Sequence, residues 1–424
     1  MRISTLQAFN NGVAGIQRNY SNATRTQEQI STGNRILTPA DDPVASVRLL
    51  QLEQQQNVLS QYNSNLTAAK NSLTQEEVTL NSVNTVLQRV RELAVQAGNG
   101  ALDPQDRKSI SAELGEREDE LLSLMNTRNA RGEYLFSGFQ GKTQPFVRAG
   151  DGSYSYQGDE GQRKLQIASS LGIPISDNGK SIFENVTNAG RMSSTILSSP
   201  ATSTLSVSAP LVQDEVAFSA FPSGGVEVVF NAAPDEKSYR VFELGADVTT
   251  ATPLATSSMD ADASKSDELV FAGVVLQFDG VPAGGERVVV NARTNTDPVT
   301  GVVTAENKQG ILDTIASLRK SLEDSGTGNA GVRDAVAVAL TNLDHGMVSV
   351  DQARGNIGAR LNVIETTQTD NEDVALVNKG VQAELRELDY AEALSRLSMQ
   401  TVVLEAAQQS YVKIAGLSLF NVMR

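Results

Sequence analysis

The sequence predicts a mainly α fold with an inserted β-rich domain. In this architecture the N- and C-terminal helices pair, a long antiparallel helical rod carries a β-hairpin, and a distal β domain is inserted in the rod. Three observations carry the prediction. Apolar residues recur every seven positions towards both ends of the chain, the spacing of helices that bury a seam against a partner. No proline stands between Pro43 and Pro104 or after Pro298, so long helices are permitted there. Nine of the twelve prolines lie between Pro145 and Pro298, among short Val- and Phe-rich runs separated by Gly and Asp, the pattern of strands and turns.

The first element is residues 3–30. Leu6, Val13, Tyr20 and Gln27 are seven apart, and so are Phe9, Ile16, Ala23 and Ile30. One narrow apolar stripe flanked by Asn, Gln, Ser and Thr does not hold a helix by itself, so the stretch requires partner helices. Thr32-Gly33 is a C-cap. Pro39 and Pro43 make the following connector non-helical, and Asp42-Pro43 supplies an N-cap with proline at the first helical position. Leu52, Leu59, Leu66, Leu73, Leu80 and Leu87 then predict a helix to about Ala97, roughly 80 Å long at ~1.5 Å per residue. After the Gly98-Asn99-Gly100 turn, Asp103-Pro104 opens a third helix through Ile110, Leu114, Leu121, Leu124 and Met125, predicted to end near Arg131. Short loops make these helices antiparallel neighbours.

Beyond Gly132 the period changes. Tyr134-Leu135-Phe136, Phe146-Val147, Tyr154-Ser155-Tyr156 and Leu165-Gln166-Ile167 read as short strands in hairpins. Residues 226–230, 239–244, 269–278 and 287–290 are strand candidates of the insert, with Gly224-Gly225 and Gly284-Gly285 as hairpin turns. The Ser/Thr/Ala-rich spans 193–209 and 246–258 read as weakly ordered loops.

Helical spacing returns at residues 308–322 with Ile311, Ile315, Leu318 and Leu322. After a turn at 325–328, Val336, Leu343, Val350, Ile357 and Ile364 mark the longest helical pattern. Gly346, Gly355, Gly358 and Gly380 lower its propensity; each either permits a close crossing or merely weakens the helix. The last stretch sets Tyr390, Leu397, Leu404 and Tyr411 seven apart, beside Leu394, Ile414, Leu417 and Phe420. It is the natural partner of the first helix. The expected domains are residues 1–42 with 388–424 (terminal helical coiled coil), 43–176 with 305–387 (helical rod with β-hairpin) and 177–304 (inserted β-rich domain).

Composition narrows the function. The formal net charge is −15 and the sequence pI is near 4.7, which argues against nucleic acid and anionic membranes as partners. No run approaches the ~20 apolar residues of a membrane-spanning helix, and the opening residues lack the apolar core of a cleavable signal. With no Cys there are no disulfides or thiolate metal sites. The one histidine, His345, rules out a zinc protease motif, which needs two at helical spacing; it reads as a structural residue of the rod. Asp42 next to Asp41 is better explained as a helix cap than as a carboxylate pair. Asp370, Glu372 and Asp373 lack the spacing of a calcium loop. No catalytic, cofactor or metal site is expected. The aromatic residues of the insert, Phe218, Phe221, Phe230, Tyr239, Phe242, Phe271 and Phe278, read as core.

Several segments, in order, resemble the flagellin family: ISTGNRILTPADDP (30–43), RVRELAVQAGNG (89–100), RGNIGARLN (354–362) and SRLSMQTVVLEAAQQSYVKIAGLSLFNVMR (395–424). The opening MRIST and RGEYLFSG (131–138) are similar to its hook-associated branch. The resemblance covers residues 1–140 and about 305–424. It implies a non-enzymatic structural subunit of the bacterial flagellum, secreted without a cleaved signal peptide and working outside the cell. The implied partners are further copies in a ring, a hook-side junction protein, filament flagellin and an export chaperone on the C-terminal helix. Filament flagellin itself, or a surface adhesin with the β insert as binding head, are the alternative readings. Two narrow-striped helices bury too little at ~25 cal/mol/Å² to offset the ordering of their residues. The expected assembly interface is therefore Leu6, Phe9, Val13, Ile16, Tyr20 and Ile30 with Leu394, Leu397, Leu404, Tyr411, Ile414, Leu417 and Phe420.

Overall fold

The computed structural model describes residues 2–198, 203–260, 265–296, 303–324, 326 and 328–422. Its helices are α1 (Arg2–Thr32), α2 (Pro43–Ala97), α3 (Pro104–Met125), α4 (Glu215–Phe218), α5 (Ile311–Glu323), α6 (Asn329–Arg386) and α7 (Tyr390–Val422). The strands are β1 (Phe146–Arg148), β2 (Tyr154–Tyr156), β3 (Lys164–Gln166), β4 (Gly172–Pro174), β5 (Met192–Ser198), β6 (Ser206–Val207), β7 (Leu211–Val212), β8 (Val226–Phe230), β9 (Ser238–Glu243), β10 (Ala255–Ser258), β11 (Asp267–Phe271), β12 (Val274–Asp279), β13 (Arg287–Ala292), β14 (Thr294–Thr296) and β15 (Val303–Ala305). The fold is mainly α with paired terminal helices and an inserted β-rich region, as the sequence predicts. Two compact units form: Met1–Leu66 with Ile167–Ser170 and Glu365–Arg424, and Thr67–Gln166 with Leu171–Ile364.

The helix starts follow from capping chemistry. The Asp42 carboxylate accepts the Ala45 amide at 3.0 Å, and Asp103 accepts that of Asp106 at 2.7 Å, each just before a proline that cannot donate. Helix α3 stops at Met125 rather than near Arg131. The Asn126 side chain explains the early stop. Its Nδ2 donates to the Phe146 carbonyl and its Oδ1 accepts the Phe146 amide, both at 3.0 Å. An amide side chain thus captures a strand in the manner of a backbone neighbour, and the chain leaves the helix to reach it. Tyr134–Phe136 is correspondingly not a strand; Tyr134 forms a single bridge with Arg128.

In the second unit the leucine seam is buried. Leu73, Leu80 and Leu87 of α2, Leu114 and Leu121 of α3, Ile315 and Leu318 of α5, and Leu343, Val350 and Ile357 of α6 are all out of solvent. The end of α2 meets the start of α6, since a Cβ on Gly98 would stand 3.2 Å from Val336. The glycines of α6 now separate. A Cβ on Gly346 would lie 3.0 Å from Ile311, a close crossing, whereas Gly355, Gly358 and Gly380 face open space. Among the described residues two buried helical seam positions are acidic, Glu76 of α2 and Glu118 of α3. Glu118 is fully buried, where its carboxylate meets Arg148 at 2.9 Å, Arg319 at 3.0 Å and the Tyr154 hydroxyl at 2.5 Å.

Two tyrosines of the β1–β2 hairpin depend on staying protonated. Tyr156 donates to the carbonyls of Phe136 and Asp159 at 2.9 and 2.8 Å, and burial pushes its phenol up to about 12. Burial, and then the Glu118 carboxylate beside it, raise Tyr154 further. An unfolded tyrosine ionises near pH 10. These folded-state values lie above the unfolded one, so their contribution is complete below pH 10 and is lost as pH rises above it. The melting temperature should therefore fall between pH 10 and 12, and fall less in Tyr156→Phe. Equal losses in the two proteins would refute the assignment.

The β-rich region is a two-sheet sandwich. One antiparallel sheet runs β10-β9-β8-β13-β5, and the other runs β11-β12-β6 with β7 also on β12. Val228, Phe230, Val241, Leu276, Phe278 and Val288 fill the space between. Phe218, Phe221 and Phe271 pack against that core, and Tyr239 and Phe242 are buried, which bears out the core reading of the aromatics. The run 269–278 is two strands, not one. Ala272 and Gly273 take positive φ (45° and 75°) and turn the chain between β11 and β12. The spans read as loops contribute β5, β6 and β10. Gly284-Gly285 is not a hairpin turn, because it joins strands of different sheets. Gly224-Gly225 follows α4 and leads into β8. The region lies along α6: Ala209 donates to Asp334 at 2.9 Å, Arg333 pairs with Asp279 at 3.1 Å, and the Ala189 amide donates to Asn342 at 2.6 Å.

Candidate assembly interface

In the first unit α1 and α7 lie antiparallel. Near one end Phe9 and Tyr411 stack obliquely with centroids 5.3 Å apart, and a Cβ on Gly12 would stand 3.2 Å from the Tyr411 ring. Near the other end Arg396 donates to Gln29 at 3.1 Å. The Tyr390 hydroxyl sits 2.9 Å from where a Cβ on Gly33 would be, a residue at φ 71°.

The burial pattern shows which face of each helix is used within the chain. On α1, Ala23 and Thr26 are buried, and Gly12, Ile16, Asn19 and Ile30 are partly buried. These fall on one line with alternating spacings of four and three. Half of the predicted seam, Phe9, Ile16, Ala23 and Ile30, therefore faces α7. Its companions are the small or polar Gly12, Asn19 and Thr26, not Val13 and Tyr20. On α7 the inward line is Ala393, Leu397, Gln400, Leu404, Ala407 and Tyr411. These companion residues escape a search for large apolar side chains; small residues at heptad spacing are the signal that finds them.

The remaining predicted interface residues are open to solvent or partly so. Tyr20 is 64% exposed, Leu394 is about half exposed, and Val13 is partly buried. Leu6, Ile414, Leu417 and Phe420 belong to α1 and α7, but their side chains lie outside the described ones. Met399, Val402, Val403 and Val412 add exposed apolar surface around α7. A helix apolar on nearly all sides is a helix of an interior, and α7 covers only one side with α1.

The two connectors are fastened together. Arg35 donates its amide to the Arg386 carbonyl at 2.8 Å, and Leu388 donates to Gly33 at 3.0 Å. The Arg35 side chain reaches the Leu385 carbonyl at 3.1 Å, and Arg386 reaches the Asn34 side chain at 3.0 Å. Asp41 organises the same stretch, accepting the amides of Leu37 and Thr38 at 2.9 and 3.0 Å and pairing with Arg25. Asp41 thus closes the connector turn, and Asp42 caps α2. The clasp consists largely of backbone hydrogen bonds, so the α1–α7 pair is anchored at one end and leans on a thin seam along its length. Protease treatment of the free subunit should trim α1 and α7 well before the leucine-packed helices; equal resistance would count against this.

The other residues singled out by sequence have structural surroundings. His345 Nδ1 lies 2.9 Å from the Thr187 carbonyl. Asp370, Glu372 and Asp373 are exposed. Among the described residues no group of His, Cys, Asp or Glu could hold a metal ion, and no helix is long and apolar enough to cross a membrane.

Residues 3–141 match the family model of the bacterial flagellin N-terminal helical region. The flagellar hook-associated protein 3 of Salmonella typhimurium is 35% identical over 188 residues, 44% of this chain and 58% of that one. The protein of the same description from Escherichia coli is 34% identical over the same shares. The chain therefore spans a little under three-fifths of the length of these relatives. The crystal structure of flagellar hook associated protein-3 from Legionella pneumophila superposes with a TM-score of 0.64 at 24% identity, covering 79% of this chain and 98% of that one, and so shares the fold. Residues 3–141 resemble the N-terminal helical region of the bacterial flagellins, and the chain is similar to flagellar hook-associated proteins 3.

Proposed function

We propose that this chain is a non-enzymatic structural subunit of the bacterial flagellum that joins hook to filament by assembling through its terminal helices. The observation that carries the reading is the uncovered apolar surface of α7 and of the outer side of α1, which includes Tyr20, Leu394, Met399, Val402 and Val412. Contiguous apolar surface of this kind marks a protein contact. Its occupant is another copy of the same pair, so that the copies close into a ring. A hook-side junction protein and filament flagellin flank the ring, and an export chaperone covers the C-terminal helix before secretion. The subunit works outside the cell and leaves it without a cleaved signal peptide. The role needs no cofactor, nucleic acid or membrane. Hook-associated relatives support the junction over the bulk filament. The flagellin helical region favours filament flagellin as the second reading. An adhesin would need an aromatic row outside its β sandwich, whereas these rings pack in or against the core.

Deleting the gene in its host separates the two main readings. A junction subunit's loss leaves hooks without filaments and sends unpolymerised flagellin into the medium. If flagellin is absent from the medium while the filaments are lost, the protein is the filament subunit instead.

A further inference from the structure

The lower part of the α2–α6 pair has an unusual seam. Leu49, Leu50 and Glu53 at the start of α2 line one cleft with Gln382, Ala383 and Arg386 at the end of α6, and the end of α2 meets the start of α6 at Gly98 and Val336, so the helices run antiparallel and these two contacts give the register. Counting along both helices brings Leu52 level with Gln382, Gln56 with Asn378, Leu59 with Ala375, and Asn63 with Asn371. The inward positions agree: Leu59, Asn371 and Asn378 are buried, and Leu52, Gln56, Asn63, Ala375 and Gln382 are partly buried. From the two helices each of these four layers receives at most one large apolar side chain, and two receive none; at the Asn371 level the carbonyl of the buried Ile167 accepts the Asn371 side-chain amide at 3.4 Å. Gln56 Oε1 and Asn378 Nδ2 are buried with no hydrogen-bond partner among the described residues, an acceptor and a donor left unmatched at the same level. Meanwhile Val47, Val58, Val374 and Val377 point to solvent. The segment is polar inside and apolar outside, the reverse of the leucine-packed helices of the other unit.

We infer that residues 52–63 with 371–382 are a local-opening segment: these turns part and close again while the leucine-packed helices remain folded. A buried amide without a partner costs free energy that closing the seam does not return, and opening exposes little apolar area to oppose it. The segment adjoins the clasp between the connectors 33–35 and 385–388. Its opening lets the clasp, and the α1–α7 pair fixed to it, change attitude against α2 and α6. Polar layers in a coiled coil thus serve here for compliance.

Native-state hydrogen exchange on the full chain, read by mass spectrometry, tests this. Peptides from 50–66 and 368–384 should exchange by local opening, at least about tenfold faster than peptides from 73–94 and 340–361. Gln56→Leu with Asn378→Leu should slow the first pair about tenfold, the scale of relieving buried unmatched amides, and leave the second pair unchanged. Equal protection of the two regions in the parent overturns the inference. So does a variant with parental helix content, checked by circular dichroism, whose exchange is not slowed. Incorporation into flagella is not the readout, so the result stands apart from the function proposed above.

Discussion

The double variant Met399→Asp and Val402→Asp should abolish incorporation of the subunit into flagella while leaving the melting curve of the free protein unchanged. Both side chains lie on the outer side of α7, 72% and 62% exposed. The contact with α1 runs along Ala393, Leu397, Gln400, Leu404, Ala407 and Tyr411. Carboxylates at these outer positions touch nothing within the chain. In an assembled wall of helices they would be unpaired charges in an apolar contact, a cost of several kcal/mol in every subunit. Complementation of a deletion strain, with the secreted fraction assayed for the variant, reads the effect. Incorporation at the parental level would refute the interface. Leu6→Asp, Phe9→Asp and Ile16→Asp should also block assembly with the rod folded. For Phe9 and Ile16 there is a second effect, because both face α7 and Phe9 stacks on Tyr411. These variants should therefore loosen the terminal pair itself.

Glu118→Ala should destabilise the leucine-packed unit by about 3 kcal/mol. Glu118 is wholly buried on α3 and ties Arg148 and Tyr154 of the β1–β2 hairpin to Arg319 of α5. Removing it leaves a gap in the seam and takes the buried acceptor from two guanidiniums, which keep Asp119 at 2.7 Å and Glu323 at 3.2 Å. Arg148 and Arg319 remain 37% and 31% exposed, so water compensates them in part and places the loss at the low end of the usual ~3–5 kcal/mol. The melting temperature should fall by roughly 5–10 °C. Glu118→Gln, which keeps the volume and one acceptor oxygen, should lose less. A melting temperature unaffected by the alanine would contradict the role given to this cluster.

The helix starts at Pro43 and Pro104, the stop at Gly33 and the leucine seam were readable in the sequence. Each depends on local chemistry: a capping carboxylate before a proline, a glycine at positive φ, a sevenfold repeat. What was not readable depends on distant partners. The end of α3 is set by Asn126 pairing with Phe146, twenty residues away and invisible to periodicity. The Ala272-Gly273 turn splits the run 269–278 because Ala272 takes φ 45° beside the glycine. At the candidate interface half of the α1 seam was found. Apolar size marked Ile16 and Ile30, but the in-chain companions Gly12, Asn19 and Thr26 are small or polar. Large residues on the same helix, Tyr20 above all, lie on the other side. Polar residues at seam spacing, Glu118 after Leu114 and Asn63 after Leu59, were the overlooked signal of the buried charge cluster and the weak lower seam.

The most direct measurement is the position of the protein along isolated flagella, by immunogold labelling with an antibody to the β-rich region. A single narrow band where hook meets filament is the expected result. Label along the whole filament would contradict it.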